Sequence, residues 1–275
     1  MAHNNLSGHL DSDIQSDEDA EKLAQAAFDQ RHQGLLRKAA ELRPGYFSRE
    51  GFKWIQQAVS LRWPKGLAAL LESGGARMTD ANGEDALMRA VKGHQTECLL
   101  AALPFCDPRA VNSDGATALM LAIEDEDAWQ RRGEQADAID ALAPLSDVDQ
   151  EDPAGANAFE LAILMGGDFD SAMKIAPFVS DPVRALKTLT AWHENGDGHD
   201  VPCDFDLIDE LGHRCVMTAE RAEWFRQAAE KGHKGLAGDL PKTFASIEAF
   251  ELRQAIGPVA GKDGSAIAAP RSIRL

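Results

Sequence analysis

Aromatic residues are scarce in this chain of 275 residues, at 6%, so its core must be filled by aliphatic and small side chains. Basic residues are short as well: 28 Lys and Arg stand against 45 Asp and Glu, a net charge of -17. That balance repels phosphate backbones and anionic lipid surfaces, so no direct nucleic-acid or membrane binding is expected. Four cysteines, Cys98, Cys106, Cys203 and Cys215, are too irregularly spaced for a disulfide framework. No apolar run approaches the roughly 18 residues that cross a bilayer. The opening MAHNNLSGHLDSDIQ lacks the basic-then-apolar plan of a signal peptide. These shortages predict a reducing, cytoplasmic setting. What is present, 44% hydrophobic and 27% charged residues, suits a folded protein of one or two domains or a single extended array.

A period runs through the chain. In DANGEDALMRAVKGH (80–94), Gly83, Leu87 and Ala90 stand in the same relation as Gly115, Leu119 and Ala122 in NSDGATALMLAI (112–123), 32 residues on. EDPAGANAFELAI (151–163) repeats the pattern with Gly155, Phe159 and Ala162 after a further 40, and GFKWIQQAV sets Gly51, Ile55 and Ala58 32 residues before Gly83. The residue types carry the reason. Asp-x-x-Gly turns the chain where Gly can take positive φ, and Asp85 or Thr117 can then cap a helix. Leu and Ala three apart share a helix face, and the Ala lets neighbouring helices approach closely. One such helix pair cannot bury its apolar face alone, so stacking has to supply the core.

These units resemble the ankyrin repeat, a turn followed by two helices with a T-P-L-H-x-A signature. Thr117-Ala118-Leu119-Met120-Leu121-Ala122 is the nearest match, with Ala for Pro and Met for His; Gly93-His94 is similar to the family's helix-ending pair. A weaker copy lies in LIDELGHRCVMTAERAEWFRQAAEKGH (207–233), and a degenerate unit with Ala191 as its small inner residue fits around 185–196. The resemblance implies an all-α, ankyrin-type helical solenoid with short β-hairpin or turn connections and helical caps at both ends. The organisation expected is a disordered acidic leader over 1–20, a helical N-terminal cap over 21–44, the repeat array over 45–257 and a disordered tail over 258–275. Residues 241–256 would cap the far end.

Two segments exceed the period: EDEDAWQRRGEQAD (124–137) and HENGDGHDVPCDFD (193–206). The second, with His213 and Cys215, gathers His193, Glu194, His199 and Cys203, a donor set that suits zinc but without C-x-x-C or H-E-x-x-H spacing. Its Asn195-Gly196-Asp197-Gly198 departs from an EF-hand loop, because the twelfth position is Asp204. GPVAGKD (257–263) is one residue short of a P-loop and carries Asp263 where Ser or Thr would hold magnesium. No nucleophile elbow or dinucleotide fingerprint is present. No cofactor, metal or catalytic residue is therefore assigned, and an enzyme is not expected. Trp129 among acids and arginines reads either as an exposed anchor or as a helix extension tucked against a neighbour. Trp54, Trp192 and Trp224 read as core.

The resemblance implies a monomeric interaction protein whose partner contacts hairpin tips and inner helices, here Asn82, Glu84, Lys92, Ser113, Asp114, Ala116, Glu124 and Ala154, with Trp129 beside them. The net charge predicts a partner with a basic surface. Alternatives are an inhibitor or immunity protein blocking a nucleic-acid enzyme, an exported effector with the tail PRSIRL, and a metal-dependent enzyme using His193, His199 and Cys203.

Overall fold

The computed structural model describes residues 16–74, 79–124, 132–164 and 168–194, with Leu207, Glu210, Leu211 and Arg214. Their regular structure is helical, without a strand among the described residues; the nearest approach is a lone bridge between Val111 and Thr117. The chain divides into two compact units, Met1–Leu161 and Ala162–Leu275.

The first unit is built from helix pairs. They are α1 (Asp17–Asp29) with α2 (Gln33–Leu42), α3 (Pro44–Ser60) with α4 (Pro64–Glu72), α5 (Ala86–Lys92) with α6 (Thr96–Ala102), and α7 (Ala118–Glu124) with α8 (Arg132–Leu142). Each odd helix packs on the next odd helix, and each even helix on the next even one. Two rows result. Ala27, Ala58, Ala90 and Ala122, on α1, α3, α5 and α7, are all fully buried. Their small side chains permit close approach, while Leu87, Leu119, Ile55 and Trp54 fill the space around them.

One joint recurs. Arg31, Arg62 and His94 adopt φ of 49°, 50° and 51°, and each is followed by an N–H that donates to the carbonyl of the buried alanine five residues back. His32 donates to Ala27 at 2.8 Å, Trp63 to Ala58 at 2.9 Å and Gln95 to Ala90 at 3.0 Å. The left-handed residue closes the helix and turns the chain into its partner helix. On α7, the side-chain amide of buried Gln135 donates to the carbonyl of Ala122 at 3.1 Å.

At the N-terminal end, where an acidic leader over 1–20 and a helical cap over 21–44 are expected, the first helix starts inside the stretch read as leader. Helix α1 begins at Asp17 under a capping box in which the Ser16 hydroxyl and the Asp19 carboxylate satisfy each other's main-chain N–H, and its first-turn acids suit the helix dipole. Asp17 meets Arg43 at 2.9 Å and Arg49 at 2.5 Å, and Glu21 meets Lys53 at 2.5 Å. The apolar face, Ala20, Leu23, Ala24, Ala27 and Phe28, is buried, with Phe28 stacked 5.2 Å from Trp54. Residues 17–42 thus form a helix pair with the joint geometry of the pairs that follow. In the first turn of α4, Gly66 leaves room for Trp63: a Cβ there would overlap the Trp63 ring.

In the second unit, Asp168 N–H donates to the Ala162 carbonyl at 2.9 Å. Helix α9 (Ala158–Leu164) runs across the boundary between units, followed by α10 (Phe169–Ile175), a short 3–10 turn (Ala176–Phe178) and α11 (Pro182–Glu194). Phe169 meets Trp192 edge-on at 5.4 Å, so Trp192 is core, as is Trp54. Ala191 is exposed on α11, contrary to its expected inner position; Ala185, Leu186 and Leu189 form the buried face instead. The Arg214 guanidinium donates to the carbonyls of Ala176, the first residue of the 3–10 turn, and Val179, which follows it. The expected copy at 207–233, the C-terminal cap at 241–256 and the tail lie almost wholly outside the described residues.

The Gln135–Ala122 hydrogen bond can be tested. Gln135→Leu keeps the volume but removes this donor from a buried position, and should cost about 1–3 kcal/mol in a urea titration. Unchanged stability would mean that the bond is dispensable.

Candidate functional site

Three five-residue turns share one set of bonds. In each, a single side-chain oxygen at the first position accepts two main-chain N–H groups: Asp80 from Asn82 and Glu84 at 2.8 and 2.9 Å, Asn112 from Asp114 and Ala116 at 3.0 and 2.9 Å, Asp152 from Ala154 and Ala156 at 2.9 and 2.8 Å. The fourth position is Gly83, Gly115 or Gly155 at φ of 74°, 76° or 85°, where a side chain would be strained. First and fifth residues also bond main chain to main chain at 3.0, 3.0 and 2.9 Å.

Successive turns touch. Ser113 N–H donates to the Asn82 carbonyl at 2.8 Å, and a Cβ on Gly83 would lie 3.3 Å from the Ser113 nitrogen. Pro153 occupies the position equivalent to Ser113 in the third turn and lies against Gly115, where a Cβ would meet its ring at 3.0 Å. Proline has no N–H, so the hydrogen bond between turns cannot be repeated there.

Each turn delivers the chain into a capped helix. Asp85 accepts Met88 N–H at 2.9 Å and Thr117 accepts Met120 N–H at 3.3 Å, the two caps that the residue pattern predicts. Asn157 accepts Glu160 N–H at 2.9 Å while the Glu160 carboxylate accepts Asn157 N–H at 3.1 Å. That reciprocal box was not anticipated, although Asn-x-x-Glu before an apolar run is its sequence signal.

The expected contact residues divide in two. Asn82, Ser113, Asp114 and Ala154 are exposed on the turns, and Lys92 and Glu124 are exposed as the last residues of α5 and α7. Glu84 and Ala116 are only 2% and 6% exposed, which corrects their placement at a contact surface. Both are fifth turn residues whose N–H is pinned by Asp80 or Asn112, and this draws them inward. Glu84 instead forms an ion pair with Lys92, tying the turn to the far end of α5. Trp129 and the His193–Cys215 donor set, as far as their side chains are concerned, lie outside the described residues.

The exposed acids share an electrostatic neighbourhood. The Glu124 carboxyl is held above its ordinary value, first by partial burial and then by Asp152 and Asp114, with Lys92 opposing. The two described thiols are held in the protonated form. Burial, assisted by Asp85, pushes Cys106 up to about 12, and burial pushes Cys98 up to about 11, so neither supplies a thiolate near neutral pH. Among the described residues no group of His, Cys, Asp or Glu is arranged to hold a metal ion. None of the described helices is long and apolar enough to cross a membrane. No family model matches the chain, and no curated protein matches it.

Two outcomes follow from these charges. Lys92→Met strands the buried Glu84 carboxylate and should lower stability by about 1–3 kcal/mol, less than a fully buried pair loses; adding Glu84→Gln should recover much of it. A double variant as unstable as the single one would contradict the pairing. For Glu124 the folded state favours the protonated acid, so ionisation opposes folding as the pH rises from 4.5 through the raised value. Glu124→Gln should therefore raise the urea midpoint at neutral pH and leave it unchanged well below 4.5. A gain of equal size in acid would point to packing rather than charge.

Proposed function

We propose that the chain is a divergent ankyrin-type repeat protein that binds a partner protein through its turn tips and the adjoining ends of its inner helices. The observation that carries this reading is a contrast between positions of equal register within the chain. Positions that build the fold keep their type: Asp80, Asn112 and Asp152, the three turn glycines, and the alanines of the inner helices. Exposed positions do not. The tip is Asn82, Asp114 or Ala154, and the last inner-helix residue is Lys92, Glu124 or Leu164. A repeated scaffold with unlike residues at its outward positions is what recognition of one asymmetric partner requires. The two rows of helices in the first unit favour a solenoid for the same reason, because each pair buries its apolar face only on its neighbours.

The partner's chemistry follows from charge. Asp152 and Asp114 both act on Glu124, and Lys92 is the opposing cation that Glu124 senses. A Lys- or Arg-bearing protein surface suits this edge, and the ordered turns lower the entropic cost of association. The same group of carboxylates favours a second reading, an inhibitor whose acidic edge enters a groove built for phosphates.

Affinity capture from the native cell, using the full chain, separates the readings by the identity of the protein that co-elutes. Association with that protein should slow on the order of tenfold between low and physiological salt. Asp114→Lys with Glu124→Lys should abolish most of the salt effect, and Glu84→Gln should leave association unaltered. Indifference to both salt and the double reversal would remove this edge from the interface.

A further inference from the structure

We infer that Asn82-Gly83 is a site of spontaneous covalent modification, at which the Gly83 main-chain nitrogen displaces the Asn82 side-chain amide. The inference goes beyond the partner reading and does not depend on it. Three observations select this residue. Asn82 is exposed at the turn tip, open to water and base. Its neighbour is a glycine at φ of 74°, which presents no side chain to obstruct attack by its nitrogen. The other described asparagines are protected: Asn112 and Asn157 are 6% and 4% exposed, are followed by Ser113 and Ala158, and hold their side-chain oxygens in main-chain hydrogen bonds. At the equivalent tips, Asp114 has no amide to lose and Ala154 has no carbonyl side chain.

The chemistry balances without an oxidant or cofactor. The Gly83 nitrogen bonds to Asn82 Cγ, the Cγ–Nδ2 bond breaks, and Nδ2 leaves as ammonia with the proton that the Gly83 nitrogen gives up. Water then opens the resulting five-membered imide. Cleavage on the side-chain side gives aspartate; cleavage on the main-chain side gives isoaspartate, in which the chain runs through Cβ and Cγ. The only local bond to be surrendered by the nucleophile is Gly83 N–H to the Asp80 carbonyl at 3.1 Å.

The two products act differently on the turn. Aspartate reproduces the Asp114-Gly115 pair of the next turn and adds one negative charge to the tip. Isoaspartate takes the Asn82 carbonyl out of the main chain as a free carboxylate. That carbonyl is the acceptor for Ser113 N–H at 2.8 Å, so isoaspartate cuts the hydrogen bond between the first two turns.

The full-length protein, kept folded at mildly alkaline pH in water enriched in heavy oxygen, tests this by proteolysis and peptide mass. The peptide spanning residue 82 should convert from amide to acid, carry heavy oxygen and resolve into two isomers. Asn82→Gln should stop conversion there, while Asn195-Gly196, the same dipeptide elsewhere in the chain, serves as the reference. In the isoaspartate fraction the Ser113 amide should exchange with solvent roughly tenfold faster. Persistence of the Asn82 amide in the folded chain, while Asn195 converts and the residue-82 peptide converts in urea, would overturn the site. Conversion with unaltered Ser113 exchange would overturn its consequence for the turns.

Discussion

The first unit depends on a side-chain oxygen holding two main-chain N–H groups in a five-residue turn. Without Asp80, Asn112 or Asp152 the turn would have to leave those donors to water, and the fifth residue would lose its inward anchor. Everything downstream inherits that geometry. The fifth residue precedes the cap, the cap starts the inner helix, and five residues after the cap comes the alanine whose neighbours pack close. A displacement of the turn by one residue would rotate the inner helix by about 100° and carry its buried alanine out of the row. The repeated turn is thus a register device as much as a connection.

Helix ends pose the complementary problem, because the last carbonyls of an inner helix lie where the chain must reverse. The joints at Arg31, Arg62 and His94 solve it by left-handed backbone, although none of these residues is a glycine. The strain of a non-glycine residue in that region is offset by a hydrogen bond to the alanine carbonyl and by the packing of the helix that follows. The alanine carbonyl on α7 is served differently: the buried Gln135 amide reaches the carbonyl of Ala122 at 3.1 Å. The requirement belongs to the carbonyl, and the donor can come from main chain or side chain.

The period, the all-helical class and the caps at Asp85 and Thr117 were legible in the residues because each rests on local chemistry: glycine at positive φ, a short polar residue before an apolar run, alanine at helical spacing. Helical residues within 21–44 were legible too, but not their kinship with the later pairs, since Ala27 and Arg31 carry no signature beyond the shared spacing to Ala58 and Arg62, and the acidic residues before Ala20 disguise the start of a capped helix as a leader. Glu84 was misjudged for a different reason. Sequence places it beside a turn glycine, where charge ordinarily means exposure, and only the turn's hydrogen bonds and Lys92 reveal that it is buried. Ala191 failed because an apolar residue on an amphipathic helix can fall on either face when the flanking register is weak.

The net charge of -17 therefore divides into groups with different work. Asp17, Glu18 and Asp19 start α1, where the helix dipole favours them, and Asp17 also holds two arginines. Asp80 and Asp152 spend their carboxylates inside turns, Asp85 caps a helix from a buried position, and Glu84 answers Lys92. What remains outward on the turn edge of the first unit is a smaller set, Asp114 and Glu124, with Asp152 half-buried beside them. At Glu124 burial first, and then Asp152 and Asp114, raise the cost of the ionised form. A cation near such a carboxylate lowers that cost, which is the physical basis of the proposal that a basic partner meets this edge.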